Sequence, residues 1–394
     1  MPDGTDGRPH TVAPDGGRPC SVAPDDGGHA RFPADGKHDR FTTPEGGHDR
    51  DTAPGAGHDR DAAPGVGRDC VIALDVGGAS MKAALLDRDL RSLHALRRAT
   101  PRRWRPDAVI AEITAALIDL DRSAAARGLT VRGAGVVVPG TVDEATGTAV
   151  RSADIGWRDL PLAAFLTDAS GLPVTLGHDV RAGGVAECRL GAARGARDVW
   201  FVSLGSGIST AVLRDGRPVR TGGHADELGH VVVDPGGAPC ACGTRGCLET
   251  VASASAIAAA YRARSGRRVE DTARVAALLA QGDPDARAVW DRAVAALATA
   301  LTTVTARRTP EVVVLGGGLA QAGDLLLDPL RTALARRPAL RRRPEPALAA
   351  LGDLAGCLGA GIAAWDAAGA GPSSARSSRI PSAYSPRIPS AAVS

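Results

Sequence analysis

His230, Cys240, Cys242 and Cys247 fall within eighteen residues, with Glu227 just before them and Glu249 just after. One imidazole and three thiolates suit a tetrahedral Zn²⁺. No feature restricts the fold more, because this segment holds too few apolar residues to build a core of its own. Bonds to a metal would hold it instead. The glycines at 236, 237, 243 and 246 let so short a loop bend back around one ion. Two other readings stay open, a disulfide and a run of free thiols. The absence of an export signal disfavours the disulfide. A purely structural zinc knuckle has no need of an acid at each end, so Glu227 and Glu249 turn the cluster towards ligand recognition.

The 394 residues allow two domains with sizeable cores, and 44% apolar and 23% charged residues suit a soluble globular protein. The formal charge is +3 and the basic residues are scattered, nearly all of them Arg, with Lys only at 37 and 82. That pattern argues against nucleic acid as a partner. No run approaches twenty apolar residues, so no membrane span is expected. The first thirty residues lack the apolar stretch of a signal peptide. A cytoplasmic location is the expectation, with Cys20, Cys70, Cys188 and Cys357 as dispersed reduced thiols.

Residues 1–68 form a degenerate repeat of about ten residues, as in Ala53-Pro54-Gly-Ala-Gly-His58-Asp59-Arg60 and Ala63-Pro64-Gly-Val-Gly-Arg68-Asp69. Such a segment buries too little apolar surface to offset its ordering entropy, so disorder is expected there and in the tail, 367–394. Apolar runs at 71–74 and 82–86, joined through Gly77-Gly78, predict a hairpin. Helical periodicity covers 106–127, and strands are expected at 133–138 and 174–176. A second hairpin spans 199–213. Helices follow at 253–264, 271–281 and 284–308, then a buried strand at 311–315 leads into Gly316-Gly317-Gly318 and another helix. Strands alternating with helices indicate an α/β fold.

Three glycine turns carry chemistry. Asp75-Val76-Gly77-Gly78 brings backbone N–H groups free of side chains towards phosphate oxygens, and its acid suits Mg²⁺ held through water. Gly205-Ser206-Gly207 and Gly316-Gly317-Gly318 end two other strands. Each could also be a plain turn. In this order, however, they resemble the actin/hexokinase-like ATPase superfamily. With Cys-x-Cys-Gly-x-x-Gly-Cys-x-Glu and Glu227-Leu-Gly-His230 added, residues 71–366 resemble the ROK family of sugar kinases, sugar-responsive repressors and proteins of unknown role.

That resemblance implies a two-lobed α/β fold with a cleft between the lobes. The amino-terminal lobe would run 70–178, completed by a helix at 355–366, and the other lobe 179–354. Sugar would lie deep in the cleft and ATP, with Mg²⁺, across its opening. Asp179 falls at the catalytic base, where a carboxylate accepts the proton of an attacking hydroxyl. Glu227, His230 and Glu249 match sugar contacts, and Gly140 matches a loop that approaches the sugar closely. Zn²⁺ would be structural, with His230 sharing its ring between metal and sugar. The family's frequent dimers and tetramers imply a homo-oligomer.

The chain departs from the pattern at three places. His178 stands where Asn usually precedes the base, and Asp154 stands where an Asn contacts sugar. Both positions read substrate, which opens the question of hexose preference. In the second hairpin, Ser209-Thr210-Ala211 replaces a glycine-rich run. The leading expectation is an ATP-dependent kinase of a hexose, with glucose as default and its 6-hydroxyl as acceptor, or of an N-acylhexosamine. A catalytically weak sugar-binding regulator is the alternative. A DNA-binding repressor is not expected, since the Pro/Gly repeat cannot form a helix-turn-helix.

Overall fold

The computed structural model describes residues 68–369 apart from 79, 102–104, 153–154, 220–226, 306–308 and 338–344. The expected repeat arm and tail lie outside these residues except at their inner edges. There the structure corrects two boundaries. The first strand already starts at Arg68, because Arg68 and Asp69 pair with Leu129 and Thr130, and the last helix runs on to Gly369.

β1 (Arg68–Val76) is buried on both faces along most of its length, as suits the interior of a parallel sheet. The chain reverses at Gly77-Gly78 into β2 (Ser80–Leu86), which sets Lys82 opposite Asp75, and β3 (Ser92–Ala99) forms the edge. α1 (Pro106–Ala125) leads to β4 (Leu129–Val138). β5 (Thr141–Asp143), β6 (Thr148–Arg151) and β7 (Arg158–Leu160) make a small antiparallel sheet. α2 (Leu162–Ser170) precedes β8 (Val174–His178), and α3 (Asp179–Leu190) follows at once.

A second sheet then repeats the plan of the first. β9 (Asp198–Leu204) and β10 (Ile208–Arg214) form a hairpin, and β11 (Arg217–Pro218) lies outside it. α4 (Glu249–Ala252), α5 (Ala254–Ser265), α6 (Thr272–Ala280) and α7 (Pro284–Thr305) lead to β12 (Val312–Gly316). α8 (Asp324–Ala335), β13 (Glu345–Leu348) and α9 (Ala355–Gly369) complete the described chain. The strand orders are β3-β2-β1-β4-β8 and β11-β10-β9-β12-β13, each a hairpin with two parallel neighbours.

Each sheet has apolar clusters on both faces. Ile113, Leu117 and Leu120 of α1 cover one face of the first sheet, and Trp290, Leu297 and Leu301 of α7 cover one face of the second. The helices on the remaining faces are exchanged: α3 leaves the first sheet to pack on β9 and β10, and α9 leaves the second to pack on β1 and β4. The two helices also pack on each other. At their contact a Cβ on Gly359 would lie 2.1 Å from the carbonyl oxygen of Ala182, so no side chain fits there. Glu187, fully buried on α3, accepts hydrogen bonds from the N–H groups of Ala192, Ala350 and Leu351 at 2.7, 3.2 and 2.8 Å. A buried carboxylate needs such donors, and here they tie α3 to the loop that starts α9.

Candidate functional site

β1, β4 and β8 are parallel neighbours, so Asp75, Gly140 and Asp179 lie at one edge, at or just beyond the carboxyl ends of the strands. Open α/β sheets collect ligands at that edge. Asp179 opens α3. Its Oδ1 and the Nδ1 of His178 both accept from the Val180 N–H, at 2.7 and 3.2 Å. His178, as N-cap residue, thereby shares the capping role that an Asp here could have filled alone. Burial pushes the Asp179 carboxyl up to about 6, against the pull of the Val180 N–H and the Arg181 charge. Burial also pushes His178 down to about 4, which leaves it a neutral ring.

Asp75 is buried, and its carboxyl is pushed up to about 7 by burial first, opposed by Lys82 and reinforced by Asp179 and Asp353. The Lys82 ammonium lies 3.8 Å from Asp75 and donates to the Asp353 carbonyl at 2.7 Å, just before α9. Asp75 and Asp179 are thus within electrostatic reach of each other at the sheet edge.

The four predicted metal ligands do converge. One donor atom each of His230, Cys240, Cys242 and Cys247 lies within 4.8 Å of the other three. His230 Nδ1 is 3.5 Å from Cys240 Sγ, and Cys242 Sγ is 3.6 Å from Cys247 Sγ. Bonds of about 2.3 Å to sulfur and 2.0 Å to nitrogen, set tetrahedrally, separate donors by roughly 3.5–3.8 Å. The donor set therefore fits zinc, with closure of roughly 1 Å at its widest pair. The other ring nitrogen of His230, Nε2, is 3.6 Å from Glu227 Oε2.

Glu249 ties this segment to the second hairpin. Its Oε2 accepts from the Ile208 N–H at 3.1 Å. A Cβ at Gly207 would come within 2.6 Å of that oxygen, so the approach depends on glycine. The Gly205 carbonyl accepts from the Ala254 N–H, and the Ser206 carbonyl from the Ser255 hydroxyl. Gly317, at φ 84°, lies against the backbone of Leu204, which brings the second and third glycine turns side by side. Gly77-Gly78 caps the other sheet.

Between these walls lies a cavity of about 280 Å³ lined by Gly140, His178, Glu227, His230 and Glu249, together with Arg181 and the first residues of β10. Asp179 is not part of that lining and meets it through His178, whose Nδ1 is 3.3 Å away. Asp154 lies outside the described residues. Sequence reasoning missed Arg181, Glu144, Lys82 and Asp353. Arg181 Nη1 donates to Glu144 Oε1 at 3.1 Å, and the same oxygen accepts from the His178 N–H at 3.3 Å.

Paired sheets of one strand plan, each covered by helices and meeting through α3 and α9, constitute the two-lobed actin/hexokinase-like ATPase fold. Within it the chain belongs to the ROK family, whose sequence profile matches residues 71–367. It is 33% identical over 277 residues to a glucokinase of Thermotoga maritima, covering 66% of this chain and 86% of that one. An N-acetylmannosamine kinase of Citrobacter koseri is 32% identical over 296 residues, covering 74% and 98%. Among solved structures the chain is similar to a ROK family glucokinase from Streptomyces griseus in complex with glucose and AMPPNP, with a TM-score of 0.66 and 28% identity over 75% of this chain and 99% of that one. No described helix is long and apolar enough to cross a membrane.

Proposed function

We propose that this protein transfers the γ-phosphoryl group of ATP to a hydroxyl of a hexose or N-acylhexosamine. One observation carries the reading: Asp179 heads α3 beside a cavity whose lining includes Glu227, His230 and Glu249. A carboxylate with a pKa near 6 is ionised at neutral pH and still basic enough to take a hydroxyl proton as that oxygen attacks phosphorus. Glu227 and Glu249 accept from other hydroxyls of the ring, and the glycine turns offer N–H donors to phosphate. Asp75 would hold Mg²⁺, which neutralises charge on the transferring phosphoryl group. His230, Cys240, Cys242 and Cys247 would hold Zn²⁺ as a cross-link without an open position. The glucose and AMPPNP bound to the Streptomyces griseus relative support both substrates.

The test is a coupled ATPase assay of the purified protein with Mg²⁺ and glucose, mannose, fructose, N-acetylglucosamine or N-acetylmannosamine. At least one sugar should drive ATP consumption. Silence across the panel would defeat the kinase reading. Sugar binding without turnover would favour the regulator instead, for which the Ser209-Thr210-Ala211 run beside the cavity is the motivating feature.

A further inference from the structure

Among the described residues that line the cavity, Arg181 is the one guanidinium. We infer that Arg181 is a specificity residue that donates to an acyl carbonyl, so that the acceptor is an N-acylhexosamine in preference to the unsubstituted hexose. This rests on the sugar-kinase reading and refines it.

Arg181 stands in the first turn of α3, two residues beyond Asp179. Glu144, in the turn between β5 and β6, holds its Nη1 at 3.1 Å. That carboxylate is itself steadied by the His178 N–H, so the guanidinium is anchored on one side. Among the described residues Glu144 is its hydrogen-bond partner, and side-chain exposures of 31% and 27% leave both groups mostly out of water. A guanidinium has five N–H donors and no acceptor. Those not engaged by Glu144 meet solvent in the cavity and are open to acceptor oxygens of a ligand.

Charge and chemistry select the ligand. A carboxylated or phosphorylated sugar would meet the Glu249 carboxylate and the nearby Asp179, with Arg181 itself paired to Glu144 and His178 uncharged. Like charges so placed are unfavourable. Sugar hydroxyls both donate and accept, and the carboxylates already serve them. The neutral sugar substituent that accepts strongly through a single oxygen is the carbonyl of an N-acyl group. A site built around a mostly buried donor rejects the analogue that leaves it unpaired, by about ten- to a hundred-fold for a hydrogen bond to a charged group.

The experiment compares kcat/KM for N-acetylglucosamine against glucose, and for N-acetylmannosamine against mannose, in wild type, Arg181→Met and Arg181→Lys. Working at pH 8 keeps Asp179 ionised whatever charge stands at 181, and each ratio is internal to one enzyme. Wild type should favour at least one N-acetyl sugar over its parent. Arg181→Met should reduce that ratio about ten- to a hundred-fold, chiefly through KM. Arg181→Lys keeps the charge without the planar fork, should lose less, and serves if the Met variant fails to fold. A wild type that prefers the parent sugars, or variants that slow both sugars of a pair equally, overturns the inference while the kinase reading stands. No turnover with any sugar removes both.

Discussion

Asp179 and Asp75 are two carboxyls at one sheet edge, both raised by burial to about 6 and about 7. For Asp179 this sets the pH dependence of the proposed reaction. Above pH 6 the carboxylate is free to accept a proton, and below it the group is already protonated. Log kcat/KM should therefore fall with unit slope below about pH 6, and a flat profile down to pH 5 would place the base elsewhere. Asp179→Asn should lower kcat by about 10²–10⁴ while sugar binding remains measurable. Stability runs the other way. A carboxyl raised on folding contributes stability below its unfolded value of 3.8, and that contribution is lost as pH rises through 6 and 7. Asp75 was legible because it follows an apolar strand and precedes a glycine turn, and Asp179 only through its place in the ROK pattern, since by itself it reads as a helix cap. Arg181 and Glu144 were not. Arg is so common in this chain that one more carries no signal, and their pairing spans 37 positions that only the fold brings together.

At the scale of elements, the hairpins and long helices could be read because apolar runs are bounded by glycines or repeat with helical period. β3 was invisible, since Leu93 and Leu96 of this edge strand lie three residues apart and give no period-two alternation. β5, β6 and β7, at three or four residues each, are too short for periodicity to register. β13 carries Pro346, which argues against a strand although its position at the sheet edge tolerates it. Nor could spacing reveal that α3 and α9 exchange sheets. Their contact depends on the bare backbone of Gly359, which faces the Ala182 carbonyl. Gly359→Ala should force the helices apart and destabilise by about 1–3 kcal/mol, roughly 2–5 °C in melting temperature for a fold of this size. Gly369→Ala, at the helix end with open space around it, is the matched control. Equal melting of the two variants would mean that the crossing yields readily.

For the whole molecule, the consequential feature is how the ligand cluster joins the rest. The sequence made its four donors legible, because they are close in the chain, but it did not show their coupling to the second sheet. Apart from the four donor residues, the segment from Val231 to Cys247 is held by backbone hydrogen bonds within itself, such as Cys240 N–H to the Thr244 carbonyl and Gly246 N–H to the Ala238 carbonyl, by the bridges Val232 to Cys247 and Pro239 to Arg245, and by side-chain contacts such as Arg292 with Asp234. Its two ends carry side chains that line the cavity. His230 follows Gly229, whose backbone lies against the Ile208 carbonyl, and Glu249 accepts from the N–H of the same residue. Freeing the cluster therefore loosens His230, Glu249 and the start of β10 together. Native protein should contain about one zinc per chain. Stripping it with a chelator should weaken sugar binding at least about ten-fold and lower the melting temperature by several degrees, since metal binding and local folding are one equilibrium. Cys247→Ser should reproduce both effects and leave the chelator with nothing further to do. Zinc-free protein that binds sugar as tightly as the native form would break the link from cluster through Ile208 to cavity, and the two carboxylates would then owe their positions to the sheet alone.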